Sequence, residues 1–220
     1  RGWFYTLMVL STALFDKPAF KNLICNGLVL AEDGKKMSKS LKNYPDPNIV
    51  IDKNSADSLR LYLINSPVVR AEPLKFSEAG VSEVVRSVLL PWYNAYLFFT
   101  MSVDLWESKN NARFVPDVNV ATSSKNNIDI WILANVSGLV DFFHKEMKAY
   151  RLYAVVPRLV SFIEELTNWY VRLNRDRIKG TTGDSTDQLH GLNVLYEVLM
   201  TMTLIMGPFT PFFSENLYQG

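Results

Sequence analysis

Metal and redox chemistry have few residues to build on: one cysteine, Cys25, and two histidines, His144 and His190, in a chain of 220. A single thiol excludes an internal disulfide and a multi-cysteine zinc site, and it is compatible with a reducing compartment. Neither histidine stands at metal-ligand spacing from another donor, so both read as ordinary helix residues. An excess of one charge is also missing. Lysine and arginine number 23 against 22 aspartates and glutamates, which leaves no global drive toward a polyanion or a membrane surface, and any nucleic-acid affinity must come from local patches. Long uninterrupted apolar runs are absent as well. Residues 87–103 and 198–213 lack charge, but each is shorter than the roughly 18 residues of a spanning helix, and Pro91, Pro208 and Pro211 interrupt them. No basic, apolar leader with a cleavage site opens the chain, so no targeting peptide is expected, and Arg1 reads as a cut in a longer sequence.

What the chain does have is apolar content, 48%, enough at this length for one large or two small packed domains. Most of it recurs at helical spacing. Trp3, Leu7, Leu10 and Leu14 predict one apolar face of a helix over residues 2–16, ending near Asp16-Lys17-Pro18. Asn22 to Leu30, short, apolar and bounded by breakers, reads as a buried strand. Asp33-Gly34 is a turn pair that favours positive φ, joining Leu28–Glu32 to Lys35–Met37 as a hairpin. At Tyr44-Pro45-Asp46-Pro47 the prolines bar a continued helix or central strand, and a domain boundary is placed there. Beyond it, Ser55 is expected to cap a helix with Ala56, Leu59, Tyr62 and Leu63 on its apolar side, with Pro67 just past its end. Ser77 is expected to cap another, with Val81, Val84, Val88, Trp92, Tyr96 and Phe99 on one stripe, kinked or broken at Pro91. Residues 107–127 read as an exposed connection. Three amphipathic stripes follow: Ile128 to Met147; Leu152 through Phe162, Leu166 and Trp169 to Leu173; and Leu192 to Met206. They predict a bundle, with Gly180 to Asp184 as the loop between the last two.

The strongest local candidate for chemistry is Glu32-Asp33-Gly34-Lys35-Lys36-Met37-Ser38-Lys39-Ser40-Leu41-Lys42, which gathers four ammonium groups and two hydroxyls just past a tight turn. Such a loop suits a polyphosphate, because lysine ammoniums follow oxygens whose charge rises during phosphoryl or nucleotidyl transfer. By charge alone it reads more readily as a solvated basic turn.

The string Lys36-Met37-Ser38-Lys39-Ser40 resembles the KMSKS signature of the class I aminoacyl-tRNA synthetases. Its flanks agree: Lys42-Asn43-Tyr44-Pro45-Asp46-Pro47 and Ala56-Asp57-Ser58-Leu59-Arg60-Leu61-Tyr62-Leu63 are similar to that family's passage from loop to first helix. The resemblance extends to Arg1-Gly2-Trp3-Phe4-Tyr5, to Leu90-Pro91-Trp92-Tyr93-Asn94-Ala95-Tyr96, to Asp129-Ile130-Trp131-Ile132-Leu133 and to Trp169 through Arg177. It points to the isoleucyl-tRNA synthetase family of the eukaryotic cytosolic type. The valyl and leucyl families share the loop and helical domain and are the nearest alternatives; outside the class stands a noncatalytic helical module that binds RNA or protein.

The resemblance implies a mainly α chain: the C-terminal remnant of a Rossmann α/β catalytic domain (residues 1–46), a helical stem-contact region (47–125) and an α-helical anticodon-binding bundle (126–220). It implies activation of isoleucine by ATP and transfer to tRNA(Ile) in the cytoplasm, without a membrane, and possible assembly with other synthetases. Lys36 and Lys39 would act catalytically, with Mg²⁺ sharing the neutralisation of phosphate oxygens. The ATP loop would be Lys36, Met37, Ser38, Lys39 and Ser40, its serines shaping the loop. Arg172, Arg175, Arg177 and Lys179 would contact tRNA phosphates, although basic residues near a helix C-terminus are also favoured by the macrodipole. Trp131, Trp169 and Tyr170 are candidates for base stacking, but their helical spacing places them in the core. The family's His-containing ATP motif and inserted editing domain do not occur in these residues, so the chain alone is expected to be inactive.

Overall fold

The computed structural model describes residues 2–220, leaving only Arg1 of the expected first segment outside, and it is mainly α-helical. The N-terminal part begins with α1 (Trp3–Phe15) and reaches β1 (Val29–Leu30) through an extended segment. After the lysine loop come α2 (Pro47–Asn54) and α3 (Ala56–Ile64), then a 3₁₀ turn (Pro67–Arg70) and β2 (Leu74–Lys75). The two strands pair in parallel, Val29 opposite Leu74 and Leu30 opposite Lys75. The lysine loop therefore lies in the crossover between parallel strands, as a Rossmann remnant requires.

The expected hairpin is present. Ala31 N–H donates to the Lys35 carbonyl and Gly34 N–H to the Ala31 carbonyl, each at 2.8 Å, and Leu30 bridges Lys36 in the antiparallel sense. Gly34 sits at φ 81°, a conformation that costs a side-chain-bearing residue about 1–2 kcal/mol. The buried strand expected over Asn22–Leu30 shrinks to its last two residues, with Leu23, Ile24 and Leu28 exposed. Among the described residues no strand runs beside 22–27 to take up their backbone groups. Only the segment's end docks: the Leu28 carbonyl accepts from Leu74 N–H at 2.9 Å, and Gly27 N–H donates to the Val68 carbonyl at 2.8 Å, so close to the Glu72 backbone that a Cβ would collide with it. The α1 stripe forms as read, but Trp3, Leu7, Leu10 and Leu14 all face outward.

The caps behave as the sequence suggests. Ser55 accepts from Ser58 N–H at the start of α3, and Ser77 from Gly80 N–H at the start of α4 (Glu78–Val84). The stripe after Ser77 runs on through a π turn (Val85–Leu89) into α5 (Leu90–Asn110). The wider turn explains how Pro91 is tolerated: Leu90 N–H reaches back five residues to Val85, so the ladder is already shifted where proline lacks a donor.

Residues 107–127, expected as an exposed connection, are in part built into the fold. Phe114 packs edge-on against Phe99 and Trp106, α6 (Val118–Ser123) buries Ala121, and Asp117 N–H donates to Asn193 Oδ1 at 2.7 Å. Asp117 caps this short helix through Asn119 N–H, and the Thr122 and Ser123 hydroxyls bond back to its own carbonyls. Beyond it, α7 (Asn127–Lys148), α8 (Leu152–Glu164) with a π turn (Glu165–Val171), α9 (Arg175–Ile178), α10 (Ser185–Met206) and α11 (Pro211–Gln219) form the bundle. Its centre is α10, where Leu192, Val194, Leu195, Val198 and Met202 are enclosed, each aliphatic side chain contributing about 1.5–3 kcal/mol relative to exposure. By length and composition α10 is apolar enough to cross a membrane, yet most of that window is covered by neighbouring helices.

Candidate functional site: the lysine loop and a basic helix end

Past the Asp33-Gly34 turn the loop carries its lysines outward. Lys35 is tied back to the turn, its N–H on Asp33 Oδ1 at 2.9 Å and its ammonium 3.5 Å from Oδ2. That backbone hydrogen bond, followed by the Lys35 charge, holds the Asp33 carboxyl below its ordinary range. Lys36, Lys39 and Lys42 are exposed, and among the described residues none has a carboxylate within ion-pair distance. Lys39 and Lys42 line one open cavity of about 500 Å³ with Tyr44 and Asp46, whereas Lys36 stands apart from it. Lys42 is held at φ 47°, an uncommon conformation for a side-chain-bearing residue and one found at sites where strain serves function.

The loop's root is ordered by a residue that sequence reasoning passed over. Asn43 Oδ1 accepts from Ser38 N–H at 2.9 Å, and its Nδ2 donates to the Lys36 carbonyl at 3.1 Å. The hydroxyls of Ser38 and Ser40 are 2.8 Å apart and bonded to each other, which fits the loop-shaping role. For the Mg²⁺ implied by the resemblance the fit is poor. Among the described residues no three His, Cys, Asp or Glu gather as a metal site, and Asp46, the one carboxylate at the lysine cavity, caps α2 through Asn48 N–H. The chain's own residues therefore offer no cage for it.

The basic cluster divides. Arg172 and Arg175 are exposed and Lys179 is half-buried, but Arg177 is turned inward, only 8% exposed, and the expectation of a phosphate contact there is corrected. Its guanidinium grips the fully buried Asp129 with two hydrogen bonds of 2.8 and 2.7 Å, and its Nε donates to Asp187 at 2.8 Å. Burial disfavours the Arg177 charge, but the Asp129 and Asp187 hydrogen bonds outweigh it and hold the group above its ordinary value. Tyr170 and Ser124 donate to the same carboxylate; burial, then the Asp129 charge, raise the Tyr170 phenol well above its usual range, so it stays a neutral donor. The physical reason for the correction is that a charge as deep as Asp129 persists only when paired and hydrogen-bonded.

The stripe through Leu166, Trp169 and Leu173 also breaks. Trp169 and Leu173 are 61% and 60% exposed, while Tyr170, fully buried, takes the inward place. Trp131 is exposed as well, so the core expectation holds for Tyr170 only. An aromatic and an aliphatic side chain thus share the exposed side of this helix end with Arg172 and Arg175, and the Arg175 guanidinium lies 5.8 Å from the centre of the Phe98 ring.

Residues 1–75 match the family model for class I tRNA synthetases of the I, L, M and V group, and residues 129–220 match the anticodon-binding domain of tRNA ligase. The chain belongs to the class I tRNA synthetases. Curated members of this class are similar over its whole length: a probable cytoplasmic isoleucine–tRNA ligase of Dictyostelium discoideum is 65% identical over 220 residues, and cytoplasmic isoleucine–tRNA ligases of Schizosaccharomyces pombe and Mus musculus are 59% and 55% identical. Each comparison covers all of this chain and 17–20% of the relative, so the chain spans about a fifth of their length. Solved class I synthetases share the fold. The ternary LeuRS–tRNA–LeuAMS complex from Agrobacterium radiobacter superposes with a TM-score of 0.67 at 23% identity, over 98% of this chain and 25% of that one. Mycobacterium tuberculosis methionyl-tRNA synthetase with methionyl-adenylate gives 0.68 at 20% identity, over 88% and 36%.

In this class I synthetase chain the two family-matched regions are tied directly. Asp57, at the start of α3, accepts the Phe213 N–H at 2.6 Å, and Arg60 donates to the Phe209 and Pro208 carbonyls. Both residues lie in the segment whose resemblance was read from sequence, but their partners some 150 positions away left no local signal.

Proposed function

We propose that this chain is the part of an isoleucine–tRNA ligase that presents lysines to the triphosphate of ATP and helices to tRNA(Ile), within a cytoplasmic enzyme. The observation that carries it is the loop itself: Lys36 and Lys39 stand exposed and unpaired on a segment pinned at its root, in the crossover of a parallel strand pair. Unpaired ammoniums are free to follow charge as pyrophosphate leaves the α-phosphorus, and such stabilisation is often the largest catalytic contribution. Lys39, beside Lys42 on one cavity, is the better placed; Met37, Ser38 and Ser40 shape the loop rather than react, since among the described residues the two hydroxyls bond to each other and to no base. Names of relatives favour isoleucine over valine or leucine as the amino acid.

For RNA, Arg172, Arg175 and Lys179 would contact phosphates, with Trp169 beside them as a stacking surface. The division into 1–46, 47–125 and 126–220 is supported by helix caps at both boundaries, Asp46 for α2 and Asn126 for α7. In the full-length enzyme, isoleucine-dependent ATP–pyrophosphate exchange should be present and should fall by about 10²–10³ in kcat with Lys39→Ala, the order for losing one preorganised donor. Exchange that is equal in the variant removes the reading.

A further inference from the structure

The two lysines assigned to the nucleotide flank Met37 and Ser38, and these two middle residues are treated differently from them. Met37 is half-buried and forms part of the wall of an apolar cavity of about 230 Å³, completed by Val29, Val50, Leu59, Leu63 and Phe76 among others. Asn43 grips the backbone on either side of it, through Lys36 O and Ser38 N–H. Successive side chains of an extended segment point to opposite sides. Bonds to residues 36 and 38 hold the backbone on both sides of residue 37, whose side chain lines the cavity while Lys36 does not. An unbranched thioether suits this place, because it fills an irregular cavity and changes rotamer without leaving it.

We propose that Met37 and Asn43 are positioning residues: Met37 is the plug on which the loop pivots, Asn43 the latch that holds its root, and together they set where the Lys39 ammonium meets the phosphates. The proposal rests on Lys39 acting as the phosphate-facing residue. On this proposal Met37 and Asn43 act through Lys39, Met37 from the wall of the apolar cavity and Asn43 through the loop backbone. Simple packing residues would change stability and leave no coupling to that lysine.

The test uses the full-length ligase and isoleucine-dependent ATP–pyrophosphate exchange, with Asn43→Ala, Met37→Ala and Met37→Leu each made in the parent and in Lys39→Ala. Asn43→Ala and Met37→Ala should lower kcat by about tenfold to a hundredfold, as a displacement of roughly 1 Å does, with the isoleucine KM unchanged. Met37→Leu, apolar and of similar volume, should restore most of the rate. In the Lys39→Ala background the same substitutions should have no further effect, since no ammonium is left to place. Losses that multiply equally in both backgrounds, or an unchanged kcat, overturn the proposal while leaving Lys39 in its role. A parent without exchange, or a Lys39→Ala enzyme of full activity, overturns both at once.

Discussion

Arg177 carries its charge inside the bundle, and the consequence of removing it follows from what it faces. Deleting one member of a buried ion pair strands the other, so Arg177→Met should destabilise the chain by about 3–5 kcal/mol in chemical denaturation, whereas Arg172→Ala, on the surface, should stay within about 0.5 kcal/mol. Equal effects would return Arg177 to the surface patch. Asp57 tests a charge buried with less help. Burial raises its carboxyl above the ordinary range, opposed by the Phe213 N–H and the Arg60 charge, and its Oδ1 has no partner. A carboxyl raised in the folded state contributes most to stability when protonated, and that contribution is lost as pH rises through the folded value. Asp57→Asn keeps an acceptor for Phe213 but cannot titrate. The stability of the parent relative to Asp57→Asn should therefore improve as pH falls from neutral, measured by denaturation at several pH values; a difference independent of pH would contradict the shift.

Among the elements, the helix through Leu166 shows what spacing alone leaves open. A regular period lets either Trp169 (i+3) or Tyr170 (i+4) follow Leu166 on the inward side, and in the turn at Glu165–Val171 it is Tyr170 that is buried. Tyr170→Ala should cost about 3–5 kcal/mol, as aromatic truncation in a core does, and Trp169→Ala less than about 1 kcal/mol; thermal unfolding of the two variants checks which aromatic fills the core. Caps were far easier to read. Ser55, Ser77 and the Asp33-Gly34 turn act through neighbours two to four residues away, so their chemistry is written locally. The strand over 22–30 was not legible in the same way, because an apolar run becomes a strand only where a partner shares its hydrogen bonds, and β2 reaches no further back than Leu28.

At the scale of the molecule, α3 joins the lysine loop's surroundings to the bundle through Asp57 and Arg60, so the exposed helix end and the loop belong to one framework. On the proposed reading the chain should bind tRNA(Ile) through Arg172, Arg175 and Lys179, with an affinity that falls as salt rises because each neutralised phosphate releases counterions. Titration of labelled tRNA at two salt concentrations checks this, and salt-independent binding would discard the patch. The lysine loop, the helical stripes and the caps were determined by the sequence itself, since each depends on residue type and short spacing. Which arginine faces water, which aromatic fills the core and which asparagine holds the loop were decided only by tertiary structure. Those assignments depend on a buried aspartate, the neighbouring helices and a backbone segment that had first to be brought beside each of them.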